Sequence, residues 1–387
     1  MSDLTLLFWV LLGLVLYPYL GFPLGLWILS RIPALASFKQ LPTLPSDVTW
    51  PQVDFLVAAY NEEAVIEAKI KNFLALDYPP DKLTLSVGSD GSSDQTNVLV
   101  TAHASERIRL LALPRTGKAG VMNALLAQTD AAIVVCSDAN SMFEPDAIKR
   151  LVCRFQDARV GCVCGRLKLV HSAVDTGEGF YWSFETWLKT MESGLGLVMG
   201  ANGAIYALRR SLARPLAAET INDDFTLSMA VYAEDQHIVY AADAVATENA
   251  APSLRAELRR HLRDGAGHYI ALWALAPLLY RLQRPLFFWV FWSHRILRWL
   301  APLFMLACML LCLVLSSNDT IFRVLAALQM LVLALLLWVH GQVLAEKPFP
   351  GLLRVPYFFV AINACLLLGL WRVLRGQQSN RWESTQR

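Results

Sequence analysis

The sequence predicts an α/β domain, a mostly parallel sheet with helices on both faces, joined to α-helical transmembrane segments. Apolar residues make up 55% of the 387 and charged residues only 17%, and the excess crowds into the first thirty residues and everything after Leu286. Between Asp54 and Cys164 short β-type runs alternate with helical patterns, and three of those runs end in polar, acidic clusters. A globular surface needs more charge than this, so the composition points to a membrane. A net charge of +2 offers no basic stripe and sets nucleic acid aside as a partner.

The stretch Leu4 to Leu29 is almost uninterruptedly apolar. It is long enough to cross about 30 Å of hydrocarbon at roughly 1.5 Å per residue, and it defines an anchor over residues 1–30. Ala34-Leu35-Ala36 imitates a signal-peptidase site, yet no basic residue precedes the run and the run exceeds a signal core, so an uncleaved anchor is expected. Positive charge follows it at Arg31 and Lys39, which places the N-terminus outside and the domain over 50–265 in the cytoplasm, beneath the inner (cell) membrane.

Three further spans are expected within 296–371, at Ile296 to Leu315, Ile321 to Leu344 and Leu353 to Leu370. Four crossings would leave the C-terminus outside, against the preference of Arg372, Arg375, Arg381 and Arg387, so a re-entrant or interfacial segment stays open. Residues 266–295 are apolar but broken by Pro277, Pro285, His294 and Arg295, a pattern that suits helices lying along the headgroup boundary. The polar tail 372–387 is too polar to span; folding back over the site and a loose terminus are both open, and disorder is the default expectation for a terminus. Seven cysteines show no paired CxxC spacing and no zinc-type histidines, so buried reduced thiols are expected.

Strands are predicted at Val53 to Ala59, Leu83 to Gly88, Ile108 to Leu113 and Ile133 to Cys136, each followed by a helix, and alternation of this kind argues a parallel sheet. Ligands of such sheets bind beyond the carboxyl ends of the strands. There lie Tyr60-Asn61-Glu62-Glu63, Ser89-Asp90-Gly91-Ser92-Ser93-Asp94 and Ser137-Asp138-Ala139-Asn140. Asn61, Ser92 and Ser141 also have the chemistry of helix caps, and Asp-Gly-Ser is ordinary turn chemistry; the joint placement on one sheet edge weighs toward a site. No GxGxxG follows the first strand, which removes the main support for a dinucleotide-binding dehydrogenase.

These clusters, with Gly117-Lys118-Ala119-Gly120-Val121-Met122-Asn123-Ala124, resemble the nucleotide-sugar half of glycosyltransferase family 2, and the flanking spans resemble its membrane-bound polysaccharide-synthase and N-acetylglucosaminyltransferase branch. The resemblance implies a GT-A-type nucleotide-sugar-binding domain. By it, Asp90 accepts a hydrogen bond from uracil, Tyr60 and Glu62 line base and ribose, and Lys118, assisted by Arg115, sits near the diphosphate. Asp138-Ala139-Asn140 takes the place of the DxD motif, with Asp138 and Asn140 as ligands of Mg²⁺ or Mn²⁺. A neutral amide in place of the second acid throws more of the binding onto Asp138 and the nucleotide itself. Thr220-Ile221-Asn222-Asp223-Asp224 resembles the second acidic motif and makes Asp224 the general base, while Asn222 or Asp223 also suits a helix cap.

Gly200-Ala201-Asn202-Gly203-Ala204 lies where the family keeps a small-residue loop at the acceptor, so Asn202 and Gly203 are expected there; a plain turn is the alternative. Arg260-His261-Leu262-Arg263-Asp264 stands where related synthases carry QxxRW, keeping an arginine and losing glutamine and tryptophan. Arg263 is the implied diphosphate ligand and Arg260 an acceptor-side one. Arg255, Arg259 and Arg263 recur every fourth residue and equally suit a basic helical face for anionic lipid.

The implied reaction is inverting transfer from a nucleotide-sugar, a UDP-sugar in this branch, to a saccharide acceptor in bacterial-type extracellular polysaccharide synthesis. A single addition to a membrane lipid such as a polyprenyl phosphate, ceramide or hopanoid is the alternative. An inactive membrane scaffold is a third reading, opposed by the presence of Asp90, Asp138 and Asp224. Accessory subunits are left open.

Overall fold

The computed structural model describes residues 2–38, 49–170, 178–251 and 253–377. Lys39 of the charge argument and the tail beyond 377 lie outside them.

The N-terminal apolar run forms two helices, α1 (Asp3–Leu16) and α2 (Gly21–Leu29), which meet at 50°. The break falls at Tyr17-Pro18-Tyr19-Leu20, where proline removes a helical donor and crowds the preceding turn. The Tyr17 hydroxyl fixes the corner, meeting the Ser293 hydroxyl at 3.1 Å and accepting from the Trp289 indole at 2.8 Å.

Four parallel strands follow as expected: β1 (Val53–Ala59), β2 (Leu83–Asp90), β3 (Ile108–Leu113) and β4 (Ile133–Asp138). With β5 (Met142–Phe143), β6 (Val160–Val170), β7 (Tyr206–Arg209) and β8 (His237–Asn249) they form an eight-stranded mixed sheet in the order β3-β2-β1-β4-β7-β6-β8-β5. β2 and β4 run two residues beyond the apolar runs that predicted them, so Asp90 and Asp138 end strands rather than begin loops.

The sheet carries α3 (Ile66–Leu74), α4 (Thr96–Ala102), α5 (Lys118–Ala127), α6 (Ala147–Val152), α7 (Glu178–Gly194) and α8 (Asp223–Ala230). Every residue of β1 is buried, and the pleat divides them between two cores. Val53, Phe55, Val57 and Ala59 pack with Ile66, Ile70 and Phe73 of α3. Leu56 and Ala58 face Met122 and Leu125 of α5 in a core that continues without a break to Leu188 of α7, and to Phe287, Val290 and Trp299. The sheet is therefore mounted directly on the C-terminal helices.

Those helices are α9 (Leu254–Ala274), α10 (Pro285–Phe291), α11 (Leu297–Leu315), α12 (Thr320–Leu344) and α13 (Arg354–Leu374). A five-residue π-helical turn, Trp292–Ile296, joins α10 to α11 in one 31-residue helix. The sequence reading put a boundary near 296 because of Pro285, His294 and Arg295. Pro285 instead sits in the first turn, where its missing N–H costs nothing. His294 is buried between Glu185 and Glu192 of α7, and Arg298 meets Glu185 at 2.5 Å.

Pro285–Leu315, Thr320–Leu344 and Gly351–Leu374 are long and apolar enough to cross a membrane, and the bent α1–α2 pair makes a fourth candidate if it counts as one span. The chain thus has the helices of a membrane-associated protein. All seven cysteines are buried and none forms a disulfide.

Candidate active site

The carboxyl ends of β1, β2 and β4, the start of α5 and the start of α8 converge at one edge of the sheet. Loops interlock there. Asn61, in the left-handed region at φ 53°, accepts from Ser93 N–H at 2.9 Å, and the Asp94 carboxylate accepts from Glu63 N–H at 3.1 Å and Thr96 N–H at 3.0 Å. Asn61 and Ser92 thus tie two loops together rather than cap helices, since Ser92 Oγ accepts from Asn61 N–H.

Asp90 is fully buried. Its Oδ1 accepts from Thr116 N–H at 2.6 Å and Gly117 N–H at 3.0 Å, and Arg115 Nε lies 3.7 Å from its Oδ2. Gly117 holds φ 83°, a conformation open to glycine, which turns both donors onto the carboxylate. The Arg115 guanidinium lies 3.0 Å from the centre of the Tyr60 ring. Tyr60, Asp90 and Arg115 so form one cluster beside the start of α5.

Next to it opens a cavity of about 320 Å³. Of the residues singled out from sequence, Glu62, Lys118, Asp138, Asn140, Asn202, Gly203, Asp224, Arg260 and Arg263 all line it, and Tyr60 and Asp90 do not. Lys118 Nζ bridges Asp138 Oδ1 at 2.9 Å and Asp223 Oδ1 at 3.1 Å. Burial opposes the ammonium, but Asp138, Asp223 and Asp224 together hold it above the ordinary lysine value. Asp224 has the reverse problem: burial, then repulsion from Asp223, outweigh Lys118 and push its carboxyl up to about 7. Of the two adjacent acids, Asp223 pairs with the lysine, and Asp224 carries the raised carboxyl.

Asn222 occupies the cap position of α8 but makes no side-chain cap bond; its amide donates to Asp264 O at 3.2 Å and links α8 to α9. Asn202 ties its loop to β6, donating to Gly165 O at 3.2 Å, and accepts from Ile205 N–H at 3.2 Å within the loop. Gly203 accepts from Asp138 N–H at 3.1 Å through its carbonyl, and a Cβ there would lie 3.0 Å from Asp138 Oδ2. Its bareness serves the Asp138 carboxylate, a task the sequence reading had not given it. Gly203→Ala is expected to displace that carboxylate, at an overpacking cost of about 1–3 kcal/mol, and to raise the donor KM more than it lowers kcat, as steady-state kinetics would show.

Arg260 pairs with Glu257. Arg263 lines the cavity and meets Asp264 at 3.5 Å, while its buried Nε has no hydrogen-bond partner among the described residues.

One participant had gone unnoticed. Lys69 of α3 is fully buried beneath the Asp138 loop, where it donates to Ser137 Oγ at 2.7 Å and to Ser141 O, with its ammonium 4.8 Å from the Phe55 ring centre. Ser141 in turn donates to Glu248 of β8. The signal was present, since Lys69 shares the apolar stripe of Ile66, Ile70 and Phe73. Burial lowers its pKa to about 7. The folded state therefore releases this proton before the unfolded chain does, and stability from this group rises as pH climbs from about 7 toward the unfolded value. Lys69→Met is expected to flatten that alkaline rise in melting temperature and to loosen the Ser137–Ser141 segment, which would appear as a higher metal requirement.

A sheet with parallel strands that end in a nucleotide-type loop cluster, an Asp-Ala-Asn turn and an acidic pair at the start of a helix defines a GT-A-like fold. Comparison agrees. Residues 51–267 match the family described as Glycosyltransferase like family 2, more than half of the chain, and the chain belongs to that family. It is 28% identical to a beta-monoglucosyldiacylglycerol synthase of Synechocystis over 53% of this chain and 48% of that one. It is 27% identical to an N-acetylglucosaminyltransferase of Mesorhizobium japonicum over 57% and 56%. The chain spans about half the length of these curated relatives. Among solved structures, a mannosyltransferase from Pyrobaculum calidifontis, in complex with GDP-Man and Mn²⁺, shares the fold over 96% of this chain and 99% of its own, with TM-score 0.65 and 20% identity.

Proposed function

We propose that this protein transfers a sugar, with inversion, from a UDP-sugar to an acceptor hydroxyl at the membrane. The single observation that carries the reading is the gathering of Asp138, Lys118, Asp224 and Arg263 around one cavity. The acceptor oxygen bonds to the anomeric carbon, the bond from that carbon to the diphosphate breaks, and the proton goes to Asp224. Lys118 and Arg263 receive the charge that grows on the departing diphosphate.

The residues fit a divalent cation. Asp138, Asp223 and Asp224 line the cavity with four further carboxylates, Glu62, Glu185, Glu248 and Asp264, against the five cations Lys118, Lys189, Arg260, Arg263 and Arg295. Asp138 and Asn140 would hold Mg²⁺ or Mn²⁺, with the diphosphate and water supplying the other oxygens, as such ions accept. Among the described residues there is no cluster of three or more His, Cys, Asp or Glu arranged for a metal. The ion would supply charge neutralisation at the leaving diphosphate. The similarity to a poly-beta-1,6-N-acetyl-D-glucosamine synthase of Staphylococcus epidermidis supports a saccharide acceptor. A second reading, a lipid acceptor, is favoured by an apolar cavity that adjoins the first.

Purified protein in vesicles, given a panel of labelled UDP-sugars with each acceptor class, tests this by UDP release and by the partition of label. Release dependent on both acceptor and metal is expected; no release with any donor would overturn the proposal. Because the base must be deprotonated and its pKa is raised, kcat/KM is expected to fall with unit slope as pH drops below about 7 and to level off above it.

A further inference from the structure

Met199 begins the loop that carries Asn202 and Gly203, and both of its backbone groups are held from the helix Pro285–Leu315, one directly and one through a carboxylate. Arg295 Nε donates to Met199 O at 2.8 Å, and its Nη2 donates to the same oxygen. Met199 N–H donates to Glu192 Oε2 at 3.3 Å, and Glu192 Oε1 is met by His294 Nδ1. His294 and Arg295 are neighbours in the π-helical turn Trp292–Ile296, a form of helix that is rare and recurs at functional sites. The turn is anchored on α7, since His294 Nε2 lies 3.3 Å from Glu185 Oε2 and Arg298 lies 2.5 Å from Glu185 Oε1. Glu192 and His294 are fully buried, and a paired network in that setting rigidifies what it touches.

From Met199 the restraint reaches both acids of the transfer. Along the chain, Ala201 N–H donates to Ser228 Oγ of α8 at 2.9 Å, and Gly203 O accepts from Asp138 N–H at 3.1 Å. Across space, the Arg295 guanidinium lies 5.4 Å from the centre of the Phe225 ring, within range of a cation–π contact. Phe225 follows Asp224 directly, and its ring is held from another side by Trp299 at 5.6 Å. Gly200, at φ 97°, leaves that ring its place, because a Cβ there would collide with it. One guanidinium thus touches the loop behind Asp138 and the residue beside Asp224.

Resting on the transfer reading above, we propose that Arg295 is a positioning residue of the transfer site. Through Met199 it sets Gly203 against the Asp138 carboxylate, and through Phe225 it sets Asp224, so the π-helical turn fixes the spacing between the acid on the metal side and the base. His294, acting through Glu192, is the second half of the clamp. Neither side chain forms or breaks a bond in the transfer.

The test uses the full chain in phosphatidylcholine vesicles, with UDP binding measured by calorimetry without metal, Mn²⁺ binding measured by electron paramagnetic resonance with UDP present, and steady-state transfer. Arg295→Met is expected to bind metal-free UDP as the wild type does, to bind Mn²⁺ about 10–100-fold more weakly and to lose kcat by a similar factor. Arg295→Lys, which keeps a donor for Met199 O, should recover part of both losses. If Arg295→Met does not fold, Phe225→Leu reads the arm to Asp224 through kcat, and His294→Gln reads the arm to Met199 through Mn²⁺ affinity. Wild-type Mn²⁺ affinity and kcat in these variants would overturn the inference. So would metal-free UDP binding weakened about tenfold in Arg295→Met, the mark of a direct diphosphate ligand, or an Arg295→Lys no better than Arg295→Met. Absence of transfer by the wild type with any donor would overturn the transfer reading alone, because the UDP and Mn²⁺ titrations stand without turnover.

Discussion

Asp224→Asn is expected to reduce turnover by about 10²–10⁴-fold, the usual contribution of a positioned base, while UDP and metal still bind. The amide keeps the shape and the Phe225 N–H contact but cannot take a proton. Stability should move the other way. The folded carboxyl is raised to about 7, so the folded state holds this proton more tightly than the unfolded chain; the stability it confers is present at low pH and is lost as pH rises through that value. At pH 8 the wild type carries a partly buried, repelled carboxylate that the amide variant does not, and the variant should melt at a higher temperature. A variant that is inactive and less stable at pH 8 would point to misfolding rather than to a missing base.

Lys118→Met is the second large effect. Lys118 is the shared partner of Asp138 and Asp223, and its loss leaves three carboxylates facing one another. With the lysine side chain 25% and the Asp138 side chain 38% exposed, water offsets part of the about 3–5 kcal/mol that breaking a buried pair costs. Turnover should drop by about 10²–10³-fold, as for removal of one preorganised donor to a developing anion. The diagnostic result is in the pH profile: Lys118 lowers Asp224, so without it the acid limb of kcat/KM should shift to higher pH. Lys118→Arg should restore part of the rate and return the limb toward its original position. An unshifted limb would separate Lys118 from Asp224.

Much of this was legible because each step is local. β1 is an unbroken buried run, and the acids at the ends of β2 and β4 stand where any parallel sheet presents its ligands. The Asp223-Asp224 pair announced a base, though not which acid Lys118 would take. Asp90 was read as a base acceptor, and its carboxylate proves to organise the backbone of Thr116 and Gly117; uracil recognition there remains a proposal. Contacts across long sequence separations were not legible. Lys69 reaches Ser137 and Ser141 only once α3 lies over β4. Arg115 finds Tyr60 only through the twist that brings two loops together. His294 and Arg298 looked like breaks in an apolar helix because Glu185 and Glu192, which neutralise them, lie more than a hundred residues earlier. The same blindness hid the second cavity, whose walls come from both ends of the chain.

The most direct measurement of the central claim is the anomeric configuration of the first product, read from the anomeric proton coupling by NMR. One base, Asp224, and a single displacement at the sugar require that an α-linked UDP-sugar give a β-linked product. Retention of the α configuration would contradict the account, since it demands a second displacement for which the cavity has been assigned no nucleophile.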